Sequence, residues 1–142
     1  MKDISLLIGK PRKPKNWIVQ DLILQGDQVL ITAPPKAGKS LLGSQLALCA
    51  TTGHQFLRWL IPSPIKVLYF NLEVNEEIFV ERFEMQANSL KLTVPPGSML
   101  FDSELRTFDI SCNLDFSLIK SMIKDSQASL VFFDVLSRAH DV

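Results

Sequence analysis

The sequence has 142 residues, a length typical of one domain, and 46% of them are hydrophobic, which is enough for a packed core. Its 15 basic and 15 acidic residues cancel, so the overall charge gives no argument for binding to nucleic acid or to a membrane. No apolar run approaches the ~18 residues of a spanning helix, and the segment 4–8 is too short for a signal peptide. We therefore expect a globular cytoplasmic protein. Its two cysteines, Cys49 and Cys112, are too few for a disulfide framework and are expected to be neutral thiols.

Residues 1–16 are predicted to form an extended basic arm that precedes the folded domain. Basic residues alternate with prolines here, and prolines disfavour a regular helix; the segment contains Lys10, Pro11, Arg12, Lys13, Pro14 and Lys15. Such an arm is either a solvated linker or a contact for a phosphate backbone or a neighbouring subunit. Residues 17–142 are assigned to one domain, in which Trp17 is either a core residue or a contact for a nucleotide base.

The segment from Ala33 to Ser40 matches the phosphate-loop pattern G-x-x-x-x-G-K-[ST] at every fixed position except the first, where Ala33 stands. It lies between an apolar run, Gln28 to Thr32, which reads as the first core strand, and a helical pattern from about Lys39 to Thr52 that Gly53 ends. Successive N–H groups at a helix N-terminus bind phosphate. The predicted nucleotide-binding residues are Ala33, Pro34, Pro35, Lys36, Ala37, Gly38, Lys39, Ser40 and Leu41.

The departures from the pattern are compatible with this chemistry. Pro34 and Pro35 have no N–H to donate, but the donors that face a phosphate come mainly from the second half of the loop. Ala33 fits only if its φ angle is negative, because alanine resists the conformations that glycine allows. Lys39 would place a positive charge on the β and γ phosphates, and Ser40 would hold Mg²⁺.

A second core strand is predicted at Ile65 to Phe70, a nearly continuous apolar run of the kind found in parallel strands that are covered on both faces. Glu73 follows it, ahead of Asn75, the expected N-cap of a helix to about Ala87. Open α/β sheets bind ligands at the carboxyl ends of their strands, and a carboxylate there can orient a water for attack on a γ-phosphate. The alternative for Glu73 is an ordinary surface acid. Arg82, on the helix, faces either solvent or the site.

The last third of the chain is predicted to contain short edge strands at 98–102 and 107–112, a helix from Asp115 to Asp125, and an apolar strand, 129–133, that is closed by Asp134. Many buried strands end in a polar residue, so this pattern alone says little. Its position after a phosphate loop favours a Walker B strand, in which Asp134 would hold Mg²⁺.

Together, the phosphate loop, the Leu72-Glu73 pair and the segment Phe-Phe-Asp-Val-Leu-Ser-Arg-Ala-His resemble the RecA-like ATPases of the RepA type, the hexameric replicative helicases of plasmids and phages, and related AAA-named ATPases. The resemblance covers roughly residues 16–142. It implies an α/β P-loop fold with a mostly parallel sheet flanked by helices, and it implies ATP and Mg²⁺ as ligands. The implied roles are catalytic for Lys39 and Glu73, metal-holding for Ser40 and Asp134, and adjacent to the nucleotide for Arg138 and His140.

Two functions from different classes remain open. The first is an ATP-hydrolysing motor that moves along single-stranded DNA as a hexameric ring. The second is a nucleotide-dependent regulator that loads a replication or recombination partner without translocating, and a small-molecule kinase is a third, less favoured option. Only eight residues follow Asp134, whereas the resemblance implies a further strand, a sensor and an arginine finger beyond it. We therefore expect the domain to be truncated after the Walker B strand, so that these residues alone turn over ATP poorly.

Overall fold

The computed structural model describes residues 1–105 and 112–134. Two short strands open the domain, and three further strands then alternate with three helices, which makes an α/β arrangement. In chain order the elements are β1 (Trp17–Val19), β2 (Ile23–Leu24), α1 (Lys39–Thr52), β3 (Val67–Asn71), α2 (Glu76–Leu90), β4 (Met99–Asp102), α3 (Asn113–Ser126) and β5 (Leu130–Asp134).

The main sheet consists of β3, β4 and β5, which are parallel, with β3 in the centre. Every residue of β3 is buried, as the continuous apolar run predicted. Its side chains alternate between two cores, because successive residues of a strand point to opposite faces. Val67 and Tyr69 pack with residues of α1 and α2, whereas Leu68 and Phe70 pack with Ile119 of α3. This three-stranded parallel sheet with helices on both faces is consistent with a RecA-like fold.

The hairpin of β1 and β2 packs on α1, and the core that they form also contacts Leu130 and Phe132 of β5. The two strands are antiparallel, and their buried residues Ile18, Val19 and Ile23 form a core with Leu46 and Cys49 of α1. Both cysteines are free, as expected; Cys49 is buried and Cys112 is half-buried. Trp17 is also half-buried, and the Lys15 ammonium lies 5.3 Å from the centre of its ring.

The bounds of α1 are those that the sequence predicted. Gly38 precedes the helix with a φ of 91°, and Gly53 follows it with a φ of 71°. Both angles fall in the left-handed region, which glycine enters without the steric cost of a Cβ atom. At the C-terminus the Gly53 N–H donates to the Cys49 carbonyl, which satisfies one of the carbonyls that the helix leaves free. The predicted cap of α2 is also confirmed, since the Asn75 carboxamide accepts from the Ile78 N–H at 2.9 Å.

The prediction of a strand at 28–32 is wrong. This segment has no regular secondary structure, and Val29, Leu30 and Ile31 are exposed. A strand exists only when its backbone groups bond with a neighbour, and within the described residues no strand pairs with this segment. The apolar composition of this segment is typical of a buried strand, but composition alone does not show whether a neighbouring strand is present to pair with it.

The basic arm differs from its prediction in one detail. Residues Ile4–Leu6 form a single 3-10 turn. The Asp3 carboxylate caps this turn by accepting a hydrogen bond from the Ser5 N–H. Residues 10–16 have no regular secondary structure and are exposed, as the prolines predicted. Among the helices described, none combines the length and apolar character that crossing a bilayer requires.

Candidate functional site

A cavity of about 770 Å³ lies at the carboxyl edge of the main sheet. Its walls come from four places: the loop before α1 with the first turn of that helix, the end of β3, α2, and the last residue of β5. Residues 35–41 line it, and so do Glu73, Arg82 and Asp134. The predicted site residues that lie far apart in the sequence therefore share one cavity. Ala33 lines a second, shallower hollow beside the loop.

The loop enters α1 with its backbone donors free of side-chain caps. Lys36 and Gly38 adopt left-handed φ angles of 63° and 91°, whereas Ala33 has no positive φ, which meets the condition set by the sequence. The Ala37 N–H donates to the Pro34 carbonyl at 3.3 Å, which closes a tight turn. The capping position of α1 is Gly38, which has no side chain to bond with the first N–H groups of the helix. The first N–H groups of a helix have no partner within the helix, so here they remain available to an anion.

The Lys39 ammonium lies against the loop rather than extending away from it. Its Nζ atom donates to the Ala33 carbonyl at 2.9 Å and to the Pro34 carbonyl at 3.3 Å. The residues at the start of the loop therefore contribute carbonyl oxygens. Together they hold one positive charge beside the helix N-terminus.

Ser40 and Asp134 meet directly across the cavity, although 94 residues separate them in the sequence. The Ser40 hydroxyl donates to Asp134 Oδ1 at 3.0 Å. A hydroxyl and a carboxylate are hard oxygen ligands of the kind that Mg²⁺ prefers, so the donor set fits that ion. Within the described ranges no group of three histidine, cysteine or acidic residues could hold a metal by itself. A cation here would therefore take its remaining ligands from a bound phosphate and from water.

Tyr69 contacts the same carboxylate, although its sequence context, an apolar strand, indicates only a core residue. Its hydroxyl donates to Asp134 Oδ2 at 2.8 Å, and the residue is only 1% exposed. Burial, reinforced by the negative charge of Asp134, raises the pKa of the Tyr69 hydroxyl far above its ordinary value. The hydroxyl therefore remains a neutral donor at any physiological pH. Both oxygens of Asp134 accept a hydrogen bond from the protein.

Asn71 fixes the turn that presents Glu73. This side chain is 2% exposed and makes three hydrogen bonds. Its amide donates to the Val74 carbonyl at 2.8 Å and to the Ser103 hydroxyl at 2.9 Å, while its oxygen accepts from the Val74 N–H at 3.3 Å. Glu73, between the two anchored residues, is exposed and lines the cavity. A sequence signal for this was present, since polar residues at positions 69, 71 and 73 alternate within an apolar strand and the turn after it.

Helix α2 forms the remaining wall of the cavity. Phe79 and Phe83 pack against the Tyr69 ring, with centroid distances of 5.2 and 5.6 Å. Arg82 lines the cavity and is also exposed, so it borders both the site and solvent. The Gln86 amide donates to the Leu41 carbonyl at 3.0 Å, so α2 is also tied to the first turn of α1. Arg138 and His140, the two other candidates, lie outside the described residues.

Comparison with known proteins gives one result. A family model described as AAA domain matches residues 2–142. No curated protein and no solved structure matches the chain significantly.

Proposed function

Because the chain belongs to the AAA domain family, as the match over residues 2–142 shows, we propose that it binds ATP with Mg²⁺ and hydrolyses it in the cavity beside α1. The contact between Ser40 and Asp134 is the observation that supports this most strongly. It joins the first turn of α1 to the end of β5, on the cavity that Glu73 also lines. These are the parts that phosphoryl transfer requires: a phosphate cradle, metal-holding oxygens and a carboxylate.

The loop supplies the phosphate-binding groups in this proposal. The N–H groups of residues 38–40 would donate to the phosphates at the helix N-terminus, where the helix dipole favours negative charge, whereas the Ala37 N–H already donates to the Pro34 carbonyl. Lys39 exchanges its bonds with the Ala33 and Pro34 carbonyls for bonds with phosphate oxygens. Ser40 and Asp134 would hold Mg²⁺, which would supply positive charge to neutralise the phosphates.

Glu73 is proposed as the residue that orients and deprotonates the attacking water. It lies at the carboxyl end of β3, two residues after Asn71, which is directly opposite Asp134 in the parallel pairing. Its position on the cavity wall allows it to approach a γ-phosphate that is held by the loop. Arg82, from α2, adds positive charge on the same wall.

The finer proposal is that the protein acts as a RepA-type replicative helicase, a hexameric ring that moves on single-stranded DNA. It rests on the resemblance of the loop, of the Leu72-Glu73 pair and of the segment that contains Asp134. The alternative is a regulator in which ATP only stabilises a conformation or an assembly. The two differ in whether DNA changes the rate of hydrolysis.

The phosphate-binding role is tested with the Lys39→Ala variant. The variant lacks the positive charge that would contact the γ-phosphate, so turnover should be abolished in a phosphate-release assay. Lys120→Ala is the matched control, because Lys120 is exposed on α3, away from the cavity. Equal turnover in the Lys39→Ala and Lys120→Ala proteins would refute the phosphate-loop assignment.

The role of Glu73 is tested with Glu73→Gln, which keeps the shape of the side chain but removes its basicity. Turnover should fall by about a hundredfold or more, while nucleotide affinity stays the same. Glu84→Gln is the control, since Glu84 is an exposed acid of α2 that does not line the cavity. A loss of nucleotide binding in Glu73→Gln would mean that the residue is structural.

The motor is distinguished from the regulator by adding single-stranded DNA to the ATPase assay and by offering a forked duplex as substrate. A helicase should be stimulated by the strand and should unwind the fork. Hydrolysis that is unaffected by DNA, with no unwinding, would favour the regulator.

A further inference from the structure

Tyr69 is held rigidly beside the proposed metal site. Its ring stacks on Phe132 with centroids 5.0 Å apart and planes 17° from parallel. The Phe83 ring lies nearly perpendicular to it at 84°, with centroids 5.6 Å apart, and Phe79 packs at 5.2 Å. Helix α1 closes over the hydroxyl, since a Cβ atom built at Gly43 would lie 3.4 Å from it. The ring is therefore held by aromatic neighbours and by α1, with its hydroxyl against Asp134 at the wall of the cavity.

The hydroxyls of Tyr69 and Ser40 bond to different oxygens of the Asp134 carboxylate. Tyr69 donates to Oδ2 at 2.8 Å and Ser40 donates to Oδ1 at 3.0 Å. A carboxylate that is held only through one oxygen can rotate about its bond to Cβ, whereas one held through both oxygens has a fixed plane. The orientation in which Oδ1 faces Ser40 is thus fixed by Tyr69.

We infer that Tyr69 is a positioning residue for the magnesium site, acting through Asp134; this rests on the function proposed above. The core does not need the hydroxyl, because the contacts of the ring are with aromatic carbon and phenylalanine would satisfy them. A neutral hydroxyl has one advantage here over the charged donors lysine and arginine. It orients the carboxylate without neutralising the charge that attracts the cation, and such outer partners tune metal sites in general.

The first test compares the magnesium dependence of nucleotide binding in two variants, with a fluorescent ATP analogue as the probe. Tyr69→Phe should raise the magnesium concentration needed for half-maximal enhancement by about tenfold, while affinity in EDTA is unchanged. Thr51→Val is the matched control. It removes another buried hydroxyl, which donates to the Leu48 carbonyl at 3.0 Å near the far end of α1. Its magnesium dependence should equal that of the unmodified protein.

A double-mutant cycle locates the effect at Asp134. In the Asp134→Asn background, Tyr69→Phe should not raise the magnesium requirement further, because the carboxylate that it orients is gone. A further increase would show that the hydroxyl acts elsewhere and would overturn the inference.

The second test needs no variant of Tyr69, because it is the only tyrosine in the sequence. Tyrosine labelled with ¹³C at Cζ gives one resonance, which reports the hydrogen bond of this hydroxyl. We expect that resonance to shift when Mg²⁺ is added to the nucleotide complex. A resonance that stays unchanged, or a Tyr69→Phe protein with the magnesium dependence of Thr51→Val, would overturn this inference but leave the proposed function standing. A lack of magnesium-dependent nucleotide binding in the unmodified protein would overturn the proposed function and this inference with it.

Discussion

Asn71→Ala should destabilise the protein and should also loosen the turn that contains Glu73. The substitution removes three hydrogen bonds at once: two that the amide donates to Val74 and Ser103, and one that its oxygen accepts from Val74. The side chain is 2% exposed, so water cannot easily replace these bonds.

The size of the effect follows from the number of bonds. A hydrogen bond within a protein contributes about 1 kcal/mol net, which gives a loss of about 3 kcal/mol for the three bonds together. This is a large share of the ~5–15 kcal/mol that stabilises a typical domain. Because Val74 is released, the turn that holds Glu73 gains freedom. Hydrolysis should therefore fall more than nucleotide affinity does.

Urea unfolding followed by circular dichroism measures the first effect, and a phosphate-release assay beside a binding titration measures the second. Asn88→Ala is the control, because Asn88 is exposed on α2 and alanine is the better helix former. It should leave both quantities nearly unchanged. A midpoint for Asn71→Ala equal to that of Asn88→Ala would refute the assignment of Asn71 as the anchor of this turn.

Three further predictions concern the loop, the core and the thiols. Gly38→Ala should weaken nucleotide binding in a titration and lower the free energy of unfolding in urea by about 1 kcal/mol. The reason is the φ angle of 91°, which alanine adopts only with strain; a Cβ atom there would meet nothing within 4 Å, so no steric clash contributes. Phe79→Ala should lower the free energy of unfolding by about 3–5 kcal/mol, whereas Phe116→Ala, 55% exposed on α3, should change it little. Burial raises the pKa of the Cys49 thiol, so a thiol reagent at neutral pH should modify Cys112 first, and equal rates would contradict the buried position of Cys49.

The sequence predicted best those features that depend on neighbouring residues. The bounds of α1 and the cap of α2 were confirmed, because glycine at Gly38 and Gly53 and asparagine at Asn75 act within one turn of their own positions. The strand expected at 28–32 was wrong because pairing depends on residues elsewhere in the chain. Tyr69 was missed for the same reason, since only the folded sheet places its hydroxyl against a carboxylate 65 residues later.

The state of Lys39 determines which measurement is the more informative about the proposed activity. Its ammonium makes two hydrogen bonds to loop carbonyls. A phosphate must displace these bonds, so the affinity for nucleotide gains only the difference between the old contacts and the new ones. In phosphoryl transfer, charge is spread over the transferring oxygens in the transition state, where the same ammonium can act without a further exchange of partners. The contribution of Lys39 should therefore be larger in turnover than in binding, which is why the Lys39→Ala comparison is made on phosphate release.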